Sequence, residues 1–243
     1  DIATGDFMAG NYVFNGDGGK VIAYTDGETM FRAGGMIEDR GGAAGGDGGF
    51  IEVSGKDHVE VRGLADTSAP AGEVGTFLID PTDIDIVNFL PTSGLSNTSN
   101  NFQSDGSTGS SNLAVADLEA NLALGNVIVT TQTGAESLTA PKGGDITVLS
   151  AVTSASGNDL SLQAGEDIQI LAAVNLGAGD LDLQAGVRTD IDSGSILSTA
   201  LTTAANVTAS ADTSIIMVNL STDSFSGTVN QTGPITITNN KTL

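Results

Sequence analysis

Apolar residues along most of the chain come in short alternating groups, cut by glycine and polar turns. The pattern is clearest from Gly41 to Val87, GGAAGGDGGFIEVSGKDHVEVRGLADTSAPAGEVGTFLIDPTDIDIV. Phe50, Ile51 and Val53 precede Ser54-Gly55. Val59 and Val61 precede Gly63, Phe77 and Ile79 precede Pro81, and Ile84 and Ile86 follow. A period of two over a few residues predicts half-buried strands, and none of these runs is long enough for a helix. Upstream, Lys20–Tyr24 reads as one more strand, held between the turn clusters Asn15–Gly19 and Asp26-Gly27.

The pattern also repeats. GGKVIAYTDG (18–27) parallels GGFIEVSGKD (48–57), and GGDITVLSA (143–151) reads the same way. GNDLSLQAG (157–165) recurs as AGDLDLQAG (178–186), which aligns Leu160 with Leu181. DITV (145–148) recurs as DIQI (167–170), and Asp190-Ile191 follows. These offsets predict coils of about 21–23 residues with two or three short strands each, an all-β solenoid of parallel β-helix type. Val207, Ile215–Val218, Val229 and Ile235–Ile237 continue at compatible spacing. Each coil would set alternate side chains inward onto the coil below, with strands ~4.8 Å apart. The expected rod has about nine or ten coils and a length of about 45 Å.

Two stretches break the pattern. Residues 91–111, PTSGLSNTSNNFQSDGSTGSS, are polar and low in complexity, and predict an inserted loop. Residues 112–125 predict a short helix, near 113–124, lying against the side of the stack. Leu118 and Leu122 are four apart, alanine supplies propensity, and Gly125 stands where a C′ residue belongs. The organisation expected is one continuous solenoid: coils over 1–90, the loop 91–111, the helix 112–125, and coils over 126–243.

Composition narrows this picture. With 33 Gly, 8 Phe and no Trp, the core must be thin and layered. Thirty acidic and 8 basic residues give a net charge of −22, which argues against nucleic acid and anionic membrane surfaces as partners. No apolar run has membrane-spanning length, so no membrane insertion is expected. Without cysteine, stability must come from repetition and burial. The chain opens at Asp1 without an initiator Met or signal peptide, which suggests a processed protein or a piece of a longer one.

Candidate chemistry is sparse. Asp80, Asp83 and Asp85 cluster in IDPTDIDI, with Ile84 and Ile86 inward, Asp83 and Asp85 outward and Asp80 at a turn. They read first as a charged strand face. Beyond that, they are the candidate ligands for Ca²⁺, and the candidate acid and base of a polysaccharide-acting β-helix. GGAAGGDGG (41–49) fits neither a calcium-binding β-roll repeat nor a phosphate cradle, and reads as a corner whose glycines supply positive φ. His58, the single histidine, could pair with Ser54 or Asp57 but reads as an exposed turn residue. No catalytic set is complete, so no enzyme and no cofactor are expected.

GGKVIAYTDGETMF, GGAAGGDGGFIEVSGK, ADTSAPAGEVGTFLIDPTDIDIV and LEANLALGNVIVTT together resemble the filamentous haemagglutinin family of large secreted proteins. The resemblance covers most of residues 18–190. It implies a right-handed parallel β-helix and two-partner secretion of the parent through an outer-membrane pore. It also implies life outside a Gram-negative-type bacterium, as a cell-surface adhesin or extracellular filament. The family's secretion domain is not visible, which places this segment downstream of it. The function expected is structural and adhesive, by coil stacking and self-association into fibres. The terminal strand residues Ile235, Thr236, Ile237 and Thr238 are candidates for end-to-end pairing. The partners expected are a host or neighbouring cell surface or a polysaccharide. The alternative is a polysaccharide-binding or polysaccharide-cleaving β-helix.

Overall fold

The computed structural model describes residues 15–56, 58–88, 95–98, 101–104, 110–131, 144–187 and 194–239. Asp57 and Asp190-Ile191 lie outside the described residues. The alternating pattern folds as the period of two demands, with inward apolar side chains stacked in columns and outward residues polar. The strands run parallel from coil to coil and form three faces.

On face A, Lys20–Thr25, Phe50–Gly55, Thr76–Asp80, Asn126–Thr130, Leu160–Ala164 and Leu181–Ala185 stack in order. Residues 207–211 of the long strand Thr202–Ala211 and 225–229 of Ser214–Val229 complete the face. One inward column reads Val21, Ile51, Phe77, Val127, Leu160, Leu181, Val207, Phe225. Its middle members are at most 1% exposed. Face B includes Glu28–Phe31, His58–Val61, Ile84–Val87, Ile146–Val148, Ile168–Ile170, Ser195–Ser198, residues 214–217 and Ile235–Asn239. Face C is made of Met36–Glu38, Leu64–Asp66, Val152–Thr153, Val174–Asn175, residues 202–204 and residues 220–222. The fold is therefore the all-β parallel solenoid expected.

Its coils are less uniform than the repeat suggested. Leu160 pairs with Leu181 and Ile146 with Ile168, as the two repeats predict. Elsewhere, hydrogen bonds between neighbouring coils span 30 residues from Asp17 to Asp47, 28 from Asp167 to Ser195 and 18 from Asn206 to Ser224. Corners absorb the difference, because a strand must keep register with its neighbours while a solvent-facing loop need not. Longer coils mean fewer of them. Among the described residues face A holds eight rungs, not nine or ten. GGDITVLSA also changes place: its strand pairs with Ile84–Val87 on face B rather than with the face A strands it mimics.

The insertion and helix differ most from expectation. Within 91–111, Leu95–Thr98 and Asn101–Ser104 form an antiparallel hairpin rather than a plain loop. The helix does not begin at 112, because Ser111–Ala114 is a strand parallel to Ile84–Val87. That extra strand packs beside His58–Val61, so face B carries one more rung than face A. Ser111 Oγ accepts the Val59 N–H at 3.1 Å, where a ladder partner would otherwise be needed.

The helix, α1, is Val115–Leu122. It stands in the wall of face C, not against its side, between Leu64–Asp66 and Val152–Thr153. A helix cannot continue a β ladder, so side chains take the place of peptide groups. Asn121, 1% exposed, accepts the Ala65 N–H at 2.8 Å and donates to the Gly63 carbonyl at 3.2 Å. On the other side, Glu119 accepts the Thr153 N–H at 2.6 Å. Leu118 and Leu122 fill the core that a strand would have filled. Gly125 falls one residue past C′, since Ala123 is the C-cap. A Cβ there would stand 2.0 Å from Thr67 Oγ1, so close approach accounts for this glycine.

Replacing Asn121 by Leu keeps the volume but strips the backbone groups of Ala65, Gly63 and Asp117 of a side-chain partner. Unfolding in denaturant is expected to show a loss of about 3 kcal/mol, whereas Asp117→Ala on the same helix should change stability by less than about 1 kcal/mol.

Candidate functional site

The acidic residues are placed by a rule the sequence did not make obvious. At the corner between faces A and B, Asp83 Oδ1 accepts the N–H of Gly144 at 2.6 Å and of Asp145 at 3.0 Å. Asp145 Oδ1 accepts the Asp167 N–H at 3.0 Å, and Asp167 Oδ1 accepts both N–H and hydroxyl of Ser195, at 2.8 and 2.9 Å. Each carboxylate thus caps the backbone of the next coil. A second ladder runs between faces C and A. Asn126 accepts from Asp159 at 2.9 Å, Asp159 from Asp180 at 2.8 Å, and Asp180 from the Asn206 N–H at 3.0 Å. A third links Asp17, Asp47 and Glu73 in the first coils. Charge-assisted bonds to backbone N–H groups are among the stronger kinds.

Stacking carboxylates one coil apart has an electrostatic cost. Burial pushes the half-buried Asp145 carboxyl above its ordinary value of 3.8, and Asp167, Asp83 and Asp85 push it further, against the lowering by its hydrogen bond. Asp85 is raised by burial and by Asp83, with its hydrogen bond to Thr147 opposing. Asp117 on α1 is raised by burial, with Arg62 opposing.

The candidates Asp80, Asp83 and Asp85 are not brought together as a site. Asp80 ends its strand and is enclosed at 4% exposure, stacked on Ser54 of the coil before. Asp83 is engaged by two backbone amides and Asp85 points outward beside Thr147. Among the described residues, no three His, Cys, Asp or Glu side chains are placed to hold a metal ion. His58 is a half-buried strand residue, not an exposed turn, and its Nδ1 lies 3.3 Å from Ser111 Oγ. Ser54 is 1% exposed and donates to Glu52 at 2.7 Å, so these two side chains do not form a nucleophile and base.

The corner GGAAGGDGG is a turn, but positive φ explains only part of it. Gly46 has φ 118°. Gly48 and Gly75 are required by contact: an added Cβ would lie 1.9 Å from the Thr67 carbonyl oxygen and 2.0 Å from that of Gly49. Neighbouring coils stack backbone on backbone here.

A recess lies on the outer side of face A. This open groove of about 390 Å³ is lined by Ile128, Ser161, Gln163, Asp182 and Thr208, with Asp159 and Asp180 of the second ladder along one edge. Asp182 is its hub. It accepts from Ser161 at 3.1 Å, from Gln184 at 2.6 Å and from the Thr208 hydroxyl one coil on. Among the described residues, no Lys or Arg lines it. The arrangement offers hydroxyl, amide and carboxylate groups in rungs, suited to hydrogen-bonding a polar polymer. The signal for both features was available: an Asp stands directly before the inward Ile or Leu in Asp83-Ile84, Asp145-Ile146, Asp167-Ile168, Asp159-Leu160 and Asp180-Leu181.

No protein-family model and no curated protein matches this chain.

The raised carboxyls of Asp85, Asp117 and Asp145 favour the folded state in acid. Their contribution is complete below the ordinary 3.8 and is lost as pH rises through the higher folded-state values. Asp145→Asn keeps an acceptor for Asp167 without the charge. It is expected to melt above the parent at pH 7, with the advantage vanishing on acidification. Asp145→Ala, lacking the acceptor, is expected to lose about 1–2 kcal/mol in chemical denaturation.

Proposed function

We propose that this chain is a rod segment of a secreted bacterial surface protein of filamentous haemagglutinin type, acting as stalk, fibre or adhesin rather than as an enzyme. The observation that carries the reading is the continuous parallel stack. A solenoid built this way gains length by adding rungs, each bonded only to its neighbours. The parent would leave the cell through an outer-membrane pore and meet a host or neighbouring cell surface. The chain would extend end to end through Ile235, Thr236, Ile237 and Thr238. These lie in the last strand, paired with residues 215–217 on one side, and Ile235 is 45% exposed. The strand's other edge has no partner among the described residues, and such an edge is a template for another strand. Removing residues 233–243 is expected to abolish long assemblies in negative-stain images. Undiminished filaments would refute this route of assembly.

A second reading is favoured by the face A groove: binding of a polysaccharide along the rungs. The ~4.8 Å strand spacing repeats donors and acceptors along the direction an extended glycan would take. With no cation lining it among the described residues, the groove suits neutral or amino sugars better than uronic acids. On a glycan array, Asp182→Ala and Gln163→Ala are expected to weaken retention at least about tenfold, the size of one charged hydrogen bond or more. Equal retention by the variants would remove the groove from the reading.

A further inference from the structure

Neighbouring coils are joined by ladders on all three faces at both ends of the stack. In the first two coils, Lys20–Thr25 pairs with Phe50–Gly55, Glu28–Phe31 with His58–Val61 and Met36–Glu38 with Leu64–Asp66. Farther on, Leu160–Ala164 pairs with Leu181–Ala185, Ile146–Val148 with Ile168–Ile170 and Val152–Thr153 with Val174–Asn175. The junction after the second coil differs. There only face A is laddered, where Phe50–Gly55 pairs with Thr76–Asp80. Among the described residues, Glu28–Phe31 with His58–Val61 and Met36–Glu38 with Leu64–Asp66 are separate two-stranded sheets, not joined to the main one.

The inserted strand is the cause. Ser111–Ala114 enters face B between His58–Val61 and Ile84–Val87, out of chain order. Face A crosses two intervals from Phe50–Gly55 to Asn126–Thr130. Face B crosses three from His58–Val61 to Ile146–Val148. On face C the helix, about 10 Å across, fills roughly two intervals of ~4.8 Å. Face B alone is therefore wedged by one strand spacing, and the ladder is given up at the seam between His58–Val61 and Ser111–Ala114. Val59 N–H bonds there to the Ser111 hydroxyl oxygen instead of a peptide oxygen. On face C the Ala65 and Gly63 backbones bond to the Asn121 side chain. The backbone bonds that cross this junction, Thr76 N–H to Gly49, Gly48 N–H to Glu73 and Gly75 N–H to Thr67, lie on face A and at its corner with face C.

In a solenoid, stability is the sum of each coil's own term and its interfaces with its neighbours. A weakened interface then marks the boundary of a cooperative unit. We infer that the first two coils, ending at Asp66, open together as one unit at this seam while the coils after it stay folded. Seam and helix thus form a built-in yielding point, whatever the chain binds. In a rod under load, it is the place that parts first.

Native-state hydrogen exchange of the full chain, read by mass spectrometry, tests it. Peptides covering 20–25, 36–38, 50–55 and 58–66 are expected to share one degree of protection, at least about tenfold below that of 160–164, 168–170 and 181–185. Ser111→Ala removes the acceptor of Val59 and is expected to lower protection about tenfold at 20–25 and 36–38, a full coil from the change. Asp145→Ala, in the later coils, is expected to lower protection about tenfold at 168–170 and 181–185 and to leave 20–66 unchanged. Weaker protection at 20–38 than at 50–66 would show the end fraying coil by coil, and overturns the inference. An effect of Asp145→Ala shared by both groups would show the whole stack opening at once, and overturns it too. So does Ser111→Ala without effect at 20–25 and 36–38. The parent pattern and Asp145→Ala decide the question even where Ser111→Ala fails to fold.

Discussion

The backbone edge of each coil must be satisfied by the coil beside it. No coil has a core of its own, and each strand offers N–H and C=O groups that water cannot reach once the stack forms. Where a strand is present the ladder meets this demand. Where one is missing, a side chain does. Asn121 stands in for a peptide group beside Ala65, Glu119 does so at Thr153, and Ser111 supplies an oxygen to Val59. The helix and the extra strand are tolerated because these substitutions leave few buried polar groups without partners.

The aspartate ladders follow from the same demand at the corners, where strands end before their N–H groups are all paired. A short acceptor placed just before each strand reaches the next coil, and Asp and Asn have the right length for it. The acidity of the chain is thus partly architectural. It leaves stacked carboxylates repelling one another along the corner.

The period-two groups, the stacking of 18–27 on 48–57 and the register of Leu160 with Leu181 were legible in the residues, because a buried strand face imposes alternation directly on its own segment. So was α1, through Leu118 and Leu122. Less legible was whatever depends on two segments far apart. Helix propensity does not say whether a helix lies on a wall or within it, and only the position of Asn121 against Gly63 and Ala65 decided that. Asp80 looked like turn chemistry before a proline and is instead enclosed. The glycines of 41–49 looked like positive-φ residues, yet Gly48 answers mainly to a carbonyl on Thr67.

By itself, then, the sequence determined the class of fold and the inward columns, since these rest on local periodicity and residue type. Only the tertiary structure decided the coil lengths, the face on which each strand lies and the partners of the aspartates. The physical reason is that corners of variable length erase a fixed period from the sequence, while hydrogen bonding between coils restores the register in space.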